Sequence, residues 1–220
     1  MNRKNLQDFV RFLMRRIAHT EFIGEENIPP KVGIILVANH MSRFDVPILF
    51  GMPARDDVVA LAADKYKKNF LFKYLIETTE NIWIDRESAD FGAMRAAIAC
   101  INKGQALGVA TEGTRSTTGR LAEGKAGTVL IAEKTRAPII PVGLAGTDTA
   151  MKQLLSLRRP HIIVRFGKAF RLPPMDRNHR DAWLQSCTEE IMCRIAAVLP
   201  AQYHGFYAGH PRLQELLREQ

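Results

Sequence analysis

The chain has 220 residues, is 46% hydrophobic and 25% charged, and carries 31 Lys and Arg against 23 Asp and Glu, a formal net charge of +8. This length supports one domain with a full core, and this composition excludes a disordered or repetitive chain. The excess of base points to an anionic partner, while the lack of zinc-finger spacing, an RNP-type aromatic strand and a recognition-helix pair argues against nucleic acid.

Residues 2–18 read as an amphipathic helix, with Leu6, Phe9, Val10, Leu13, Met14 and Ile17 on one face and Arg3, Lys4, Arg11, Arg15 and Arg16 mostly off it. Such a helix can lie in a membrane interface or pack on its own domain, and both readings stand at this point. No apolar run approaches the ~20 residues of a membrane span, and the N-terminus has no signal-peptide pattern. Residues 25–31 form a connector marked by Pro29-Pro30.

Ile34-Ile35-Leu36-Val37-Ala38 is the pattern of a buried strand, and Asn39-His40-Met41-Ser42-Arg43-Phe44-Asp45 follows it as a tight turn into a short helix ending near Gly51. The turn places His40 at the carboxyl end of the strand, where open α/β sheets hold their sites. An imidazole with a pKa near 6.5 can take a proton from a hydroxyl, and a carboxylate on its other nitrogen fixes the tautomer. The competing reading makes Asp45 an N-cap, with Pro47 in the first turn, and His40 an ordinary strand-end histidine.

Residues 58–63 read as a second strand and 65–76 as a helix with exposed lysines. Residues 82–84 are a short strand running into Asp85-Arg86, and Ser88 is the expected cap of a helix over 89–102, with Phe91, Met94, Ile98 and Ile101 inward and Gly104 as its stop. Residues 105–110 form the next strand. It feeds Thr111-Glu112-Gly113-Thr114-Arg115-Ser116, where glycine allows close backbone approach and hydroxyls, amides and Arg115 can cradle an anion. A helix over 128–136, a strand over 138–144, a short helix over 151–157, the basic turn Leu157-Arg158-Arg159-Pro160, a strand over 161–170 and a long helix over 181–199 complete the pattern. Cys100, Cys187 and Cys193 have no metal-ligand spacing and read as buried small hydrophobes of a protein in a reducing compartment. The alternation of strand and helix predicts an α/β fold: a mixed, mostly parallel sheet flanked by helices, with the amphipathic helix at residues 1–24, the main domain at 25–200 and a tail at 201–220.

Four blocks in order resemble the 1-acylglycerol-3-phosphate acyltransferase (PlsC-like) family: Asn39-His40 with Asp45; Ile82-Trp83-Ile84-Asp85-Arg86; Glu112-Gly113-Thr114-Arg115-Ser116; and Pro138-Ile139-Ile140-Pro141-Val142. With the lead-in Glu26-Asn27-Ile28-Pro29-Pro30, the resemblance covers residues 25–150. It implies a glycerolphosphate acyltransferase-like fold and an O-acyltransferase that moves a fatty acyl group from acyl-CoA or acyl carrier protein to the free hydroxyl of lysophosphatidic acid. His40 is then the general base and Asp45 its orienter, while Arg86, Glu112, Gly113, Thr114, Arg115 and Lys125 bind substrate, chiefly the acceptor's phosphate. No metal or other cofactor is implied. The implied partners are a lysophospholipid, an acyl thioester and an anionic membrane surface, with the enzyme peripheral on its cytoplasmic face. The chain departs from the family at Thr111, where a proline is usual, and at Gly124 before Lys125, where phenylalanine is usual. Those departures motivate an alternative with the same chemistry on a different lysolipid or a glycolipid. Two other classes compete: a non-catalytic protein docking on anionic membranes, and a metal-dependent hydrolase using His40, Asp45 and Asp85.

Overall fold

The computed structural model describes residues 1–86, 88 and 90–219. It contains a seven-stranded sheet built from β1 (His19–Ile23), β2 (Ile34–Ala38), β3 (Val58–Ala63), β4 (Ile82–Ile84), β5 (Ala106–Ala110), β6 (Ile139–Ala145) and β7 (His161–Phe166), in the order β1-β7-β6-β2-β5-β3-β4. Strands β6, β2, β5, β3 and β4 run parallel; β7 is antiparallel to β6 and parallel to β1. The fold is the expected mixed, mostly parallel α/β sheet flanked by helices.

Every residue of β2 and β6 is buried, because strands covered by helices on both faces need apolar residues on both. Ile35 and Val37 join the core under α4 (Phe91–Asn102), α5 (Gly127–Thr135), α7 (Arg180–Ala197) and α8 (Pro211–Arg218), whereas Ile34, Leu36 and Ala38 join the core under α1 (Arg3–Ile17) and α2 (Asp45–Phe50). Burying such a side chain contributes about 1.5–3 kcal/mol.

The structure divides the apolar face of α1. Leu6 and Met14 are buried and Val10 and Ile17 pack beside them, while Phe9, Phe12 and Leu13 stay exposed. One stripe of this helix thus packs on its own domain and an adjacent apolar stripe is exposed. Strand β1 was missed by the sequence reading: it is an edge strand whose residues alternate only between exposed and half-buried, so its period-2 signal is faint. The helix expected over 65–76 is two pieces, a 3₁₀ turn at Asp64–Lys68 and α3 (Phe70–Thr78), because Asn69 caps α3 through its side chain at 3.1 Å from Phe72 N–H. The expected start at Ala89 lies outside the described residues, as does Gln220. Helix α4 is capped by Asp90, not Ser88; of the expected inner face Ile101 is buried and Met94 and Ile98 pack half-buried against the core, joined by Ala93, Ala97 and Cys100, while Phe91 is exposed. Helix α6 is Ala150–Leu155. No helix among the described residues is long and apolar enough to cross a membrane.

All three cysteines are free and buried. Burial pushes the Cys100 thiol up to about 11 and the Cys193 thiol to about 12, and raises Cys187 as well. Because the thiolate is the reactive species, the native protein will resist a disulfide reagent at pH 8 and release its thiols only with denaturant. Fast labelling of the native chain at pH 8 would contradict this packing.

Candidate active site

The parallel sheet collects one set of loops along a single edge. His40 follows β2, Arg86 follows β4 and the 111–125 loop follows β5, so every predicted site residue comes off a carboxyl strand end. Asn39, given no role by the sequence reading, fixes this edge. Its buried amide donates to Leu144 O at 2.9 Å and accepts from Leu144 N at 2.8 Å, tying the end of β2 to β6.

His40 Nδ1 lies 2.7 Å from Asp45 Oδ2. The same oxygen accepts from the backbone N–H of Met41 at 2.8 Å and of Ser42 at 2.7 Å. Asp45 is therefore not a conventional N-cap of α2: it is that helix's first residue, and its carboxylate reaches back to close the turn before it. A carboxylate only accepts, so Nδ1 carries the proton and Nε2 presents its lone pair. Asp45 Oδ1 is buried with no hydrogen-bond partner. Three donors thus converge on the oxygen facing the imidazole, where they hold negative charge against an imidazolium as it forms.

Glu112 braces this turn. Its Oε1 accepts from His40 N–H at 3.3 Å and its Oε2 from Ala122 N–H at 2.8 Å, and the residue is 3% exposed. Burial pushes its carboxyl above the ordinary range, against the two amide bonds that pull it down. His40 O also accepts from Ser116 N–H at 2.7 Å. The structure thus places Glu112 between the His40 turn and the loop, where backbone N–H groups of both engage its carboxylate. Glutamine there would set an NH₂ against one of the two N–H donors. We expect Glu112→Gln to lose about 1–3 kcal/mol of stability. Because the folded pKa lies above the unfolded value, ionised Glu112 costs stability at neutral pH, and that cost is relieved as pH falls through the folded pKa towards 4.5. Wild type should therefore gain stability relative to the variant between pH 7 and pH 5 in denaturant titrations; a gap that narrows as pH falls would contradict the assignment.

Gly113 has φ +74°, and a Cβ there would meet Lys125 Cδ at 2.9 Å. Lys125 thus lies across Gly113, exposed at its own surface, with its N–H donating to Thr111 O at 2.8 Å. Thr114 is exposed and Arg115 half-buried. Arg86 is exposed as a residue, yet its guanidinium is partly withdrawn from water. Its pKa is lowered by that burial first and by the Arg115 charge second, and is supported by Tyr66. Arg86 and Arg115 are therefore within electrostatic reach of one another, and two guanidiniums in reach of each other are chemically suited to phosphate oxygens.

The family's aromatic has no room at Gly124: a Cβ there would come within 2.6 Å of Met192 Cγ and 3.0 Å of Thr188 Cγ2. Its N–H donates to Tyr207 Oη at 3.0 Å. Tyr203 Oη accepts from Gly146 N–H and donates to Asp148, and its backbone carbonyl accepts from Leu121 N–H. The 201–218 segment, given no role by the sequence reading, thus buttresses the loop through two buried tyrosines; the phenol oxygens were the available signal. Among the described residues, the side chains that could jointly hold a metal are His19, Glu21 and His161, and these do not include His40, Asp45 or Asp85.

The Acyltransferase family model matches residues 19–145. The chain is 30% identical over 127 residues to the 1-acyl-sn-glycerol-3-phosphate acyltransferase of Borreliella burgdorferi, covering 57% of this chain and 50% of that one. It is 34% identical over 136 residues to the protein of the same name from Cocos nucifera, covering 60% and 44%. The chain spans about half the length of these curated relatives. Among solved structures, the 1-acyl-sn-glycerophosphate acyltransferase PlsC of Thermotoga maritima superposes with a TM-score of 0.63 at 24% identity, over 86% of this chain and 80% of that one, a likeness of fold.

Proposed function

The chain belongs to the acyltransferase family, and from that premise we propose that it moves a fatty acyl group from a thioester of coenzyme A or acyl carrier protein to the free hydroxyl of lysophosphatidic acid. The observation that carries the reading is the His40–Asp45 pair, held at 2.7 Å by a turn with a second, phosphate-suited cluster beside it.

In this reading His40 Nε2 takes the proton of the acceptor hydroxyl as its oxygen attacks the thioester carbonyl. The thiolate of the carrier leaves and takes the proton back from the imidazolium. Asp45 holds the ring and its charge; Glu112 holds the turn. Arg86 and Arg115 take the acceptor phosphate. Gly113 and Thr114 shape the loop beside it, and Lys125, lying over Gly113, supplies a further cation. No acyl-enzyme is invoked. Relatives named 1-acyl-sn-glycerol-3-phosphate acyltransferase support the acceptor. The exposed apolar stripe on α1 supports peripheral placement on a membrane.

An acceptor panel tests the substrate. We expect lysophosphatidic acid to be preferred about 10-fold or more over a lysophosphatidylcholine, whose bridged phosphodiester offers one less charge to the two arginines. Equal use of both, or preference for a glycolipid, would overturn this choice of acceptor.

A further inference from the structure

We propose that the carboxyl end of α1 and the turn at 155–159 form a docking site for anionic phospholipid, with one lipid phosphate seated over the cavity that adjoins them. This rests on the proposed function for its lipid setting and names the surface and partner that bring the catalytic edge to it.

The two segments are stitched together. Arg159 Nη2 donates to Arg15 O at 2.6 Å and Ala18 O at 3.0 Å, and His19 N–H donates to Pro160 O at 2.9 Å. Their side chains point outward: Phe12 is 57%, Leu155 79% and Leu157 98% exposed. Leu157 also has φ +57°, a conformation that disfavours any residue but glycine. The fold therefore gains nothing from a leucine at this position, whereas a lipid surface does. Around these knobs stand Arg15, Arg16, Arg158 and Arg159, all exposed and none in an ion pair among the described residues; Arg16 lies over the Phe12 ring at 5.3 Å. Apolar knobs ringed by unneutralised arginines match an anionic interface.

Adjoining these segments, among α1, β1 and α2, is a cavity of about 410 Å³, with Met14, Phe22 and Ile48 on its apolar side and Arg11, Arg15, His19 and Arg159 on its polar side; Arg159 is the lining residue that the turn supplies. No carboxylate lines it, and of these arginines only Arg11 has an acidic neighbour, Asp8 at 3.6 Å. An apolar floor under a cationic rim suits a phosphate headgroup with its first chain carbons. Helix α2, whose first residue is Asp45, forms one wall through Pro47 and Ile48. The turn follows α6 off the carboxyl end of β6, so docking here sets the His40 edge against lipid. The rival apolar face, Phe70 and Leu71 of α3, is also exposed, but nearby Lys67 and Lys73 already face Asp64 and Glu77.

Cosedimentation of the full chain with phosphatidylcholine vesicles, with and without phosphatidylglycerol, tests this without turnover, so its failure and the failure of acyl transfer are read separately. Wild type should bind only when phosphatidylglycerol is present, and less as salt rises. Arg15→Gln/Arg16→Gln/Arg158→Gln should weaken binding about a hundredfold, at about fivefold per residue. Leu155→Ser/Leu157→Gly should also weaken it while the melting temperature holds or rises, since glycine suits the Leu157 backbone. Thr20→Phe, which fills the cavity, should weaken binding to phosphatidylglycerol vesicles about fivefold, while the exposed arginines keep the preference for them. Undiminished binding by the triple-arginine variant, undiminished binding by Thr20→Phe, or loss on Phe70→Ser/Leu71→Ser instead would overturn the proposal.

Discussion

Replacing Asp45 with asparagine will lower acyl transfer by about 10²–10⁴-fold and leave the chain folded. The Met41 and Ser42 amides both aim at Oδ2, and an asparagine must turn its carbonyl oxygen to them because its NH₂ would face two fixed donors. His40 then keeps its partner and its tautomer, but loses the negative charge that stabilises its imidazolium. The loss should fall on kcat with KM little changed, since the charge matters once the proton has moved. The remaining NH₂ falls where Oδ1 now sits buried and unpartnered, so a cost of about 1–3 kcal/mol in stability accompanies it. Thermal melts separate that cost from the kinetic effect. Full activity in a well-folded Asp45→Asn would remove the pair from the mechanism.

Replacing Arg86 and Arg115 together with glutamine will raise KM for lysophosphatidic acid by about 10²–10⁴-fold, from about 1.5–3 kcal/mol per charge-assisted contact. The Arg115 charge disfavours the Arg86 cation in the free protein, so a bound phosphate relieves repulsion as well as gaining two partners. Removing one arginine loses one contact and also that relief, so the single variants should each cost more than half of the double in free energy. The acceptor's phosphate sits at the ground state as in the transition state, which is why KM, more than kcat, should move. A double variant with unchanged KM would mean that the phosphate binds elsewhere.

Much of this architecture was legible in the sequence because strong patterns wrote it. Ile34 to Ala38 is uniformly apolar and proves central and buried on both faces; parallel topology then brings the His40, Arg86 and Glu112 segments to one edge. What was not legible depends on partners far along the chain. Glu112 looks like a ligand-binding acid beside Arg115, and only the fold reveals that backbone amides occupy both its oxygens. Asn39 spends its amide on Leu144, 105 residues away. Gly124 reads as a lost aromatic, yet Met192 and Thr188 fill the space and Tyr207 from the tail takes its N–H. The edge strand β1 and the break at Asn69 escaped because half-exposed strands and single capping residues leave weak periodic traces. The matched family model ends at residue 145, and the tyrosine buttress comes from residues beyond it.

The measurement that bears most directly on the central claim is thiol release from palmitoyl or oleoyl coenzyme A, with and without lysophosphatidic acid, for wild type beside His40→Ala. The account predicts release that requires the acceptor and falls by about 10²–10⁴-fold in the variant. Equal turnover by wild type and His40→Ala would contradict it, because His40 is the group to which the account gives the hydroxyl's proton.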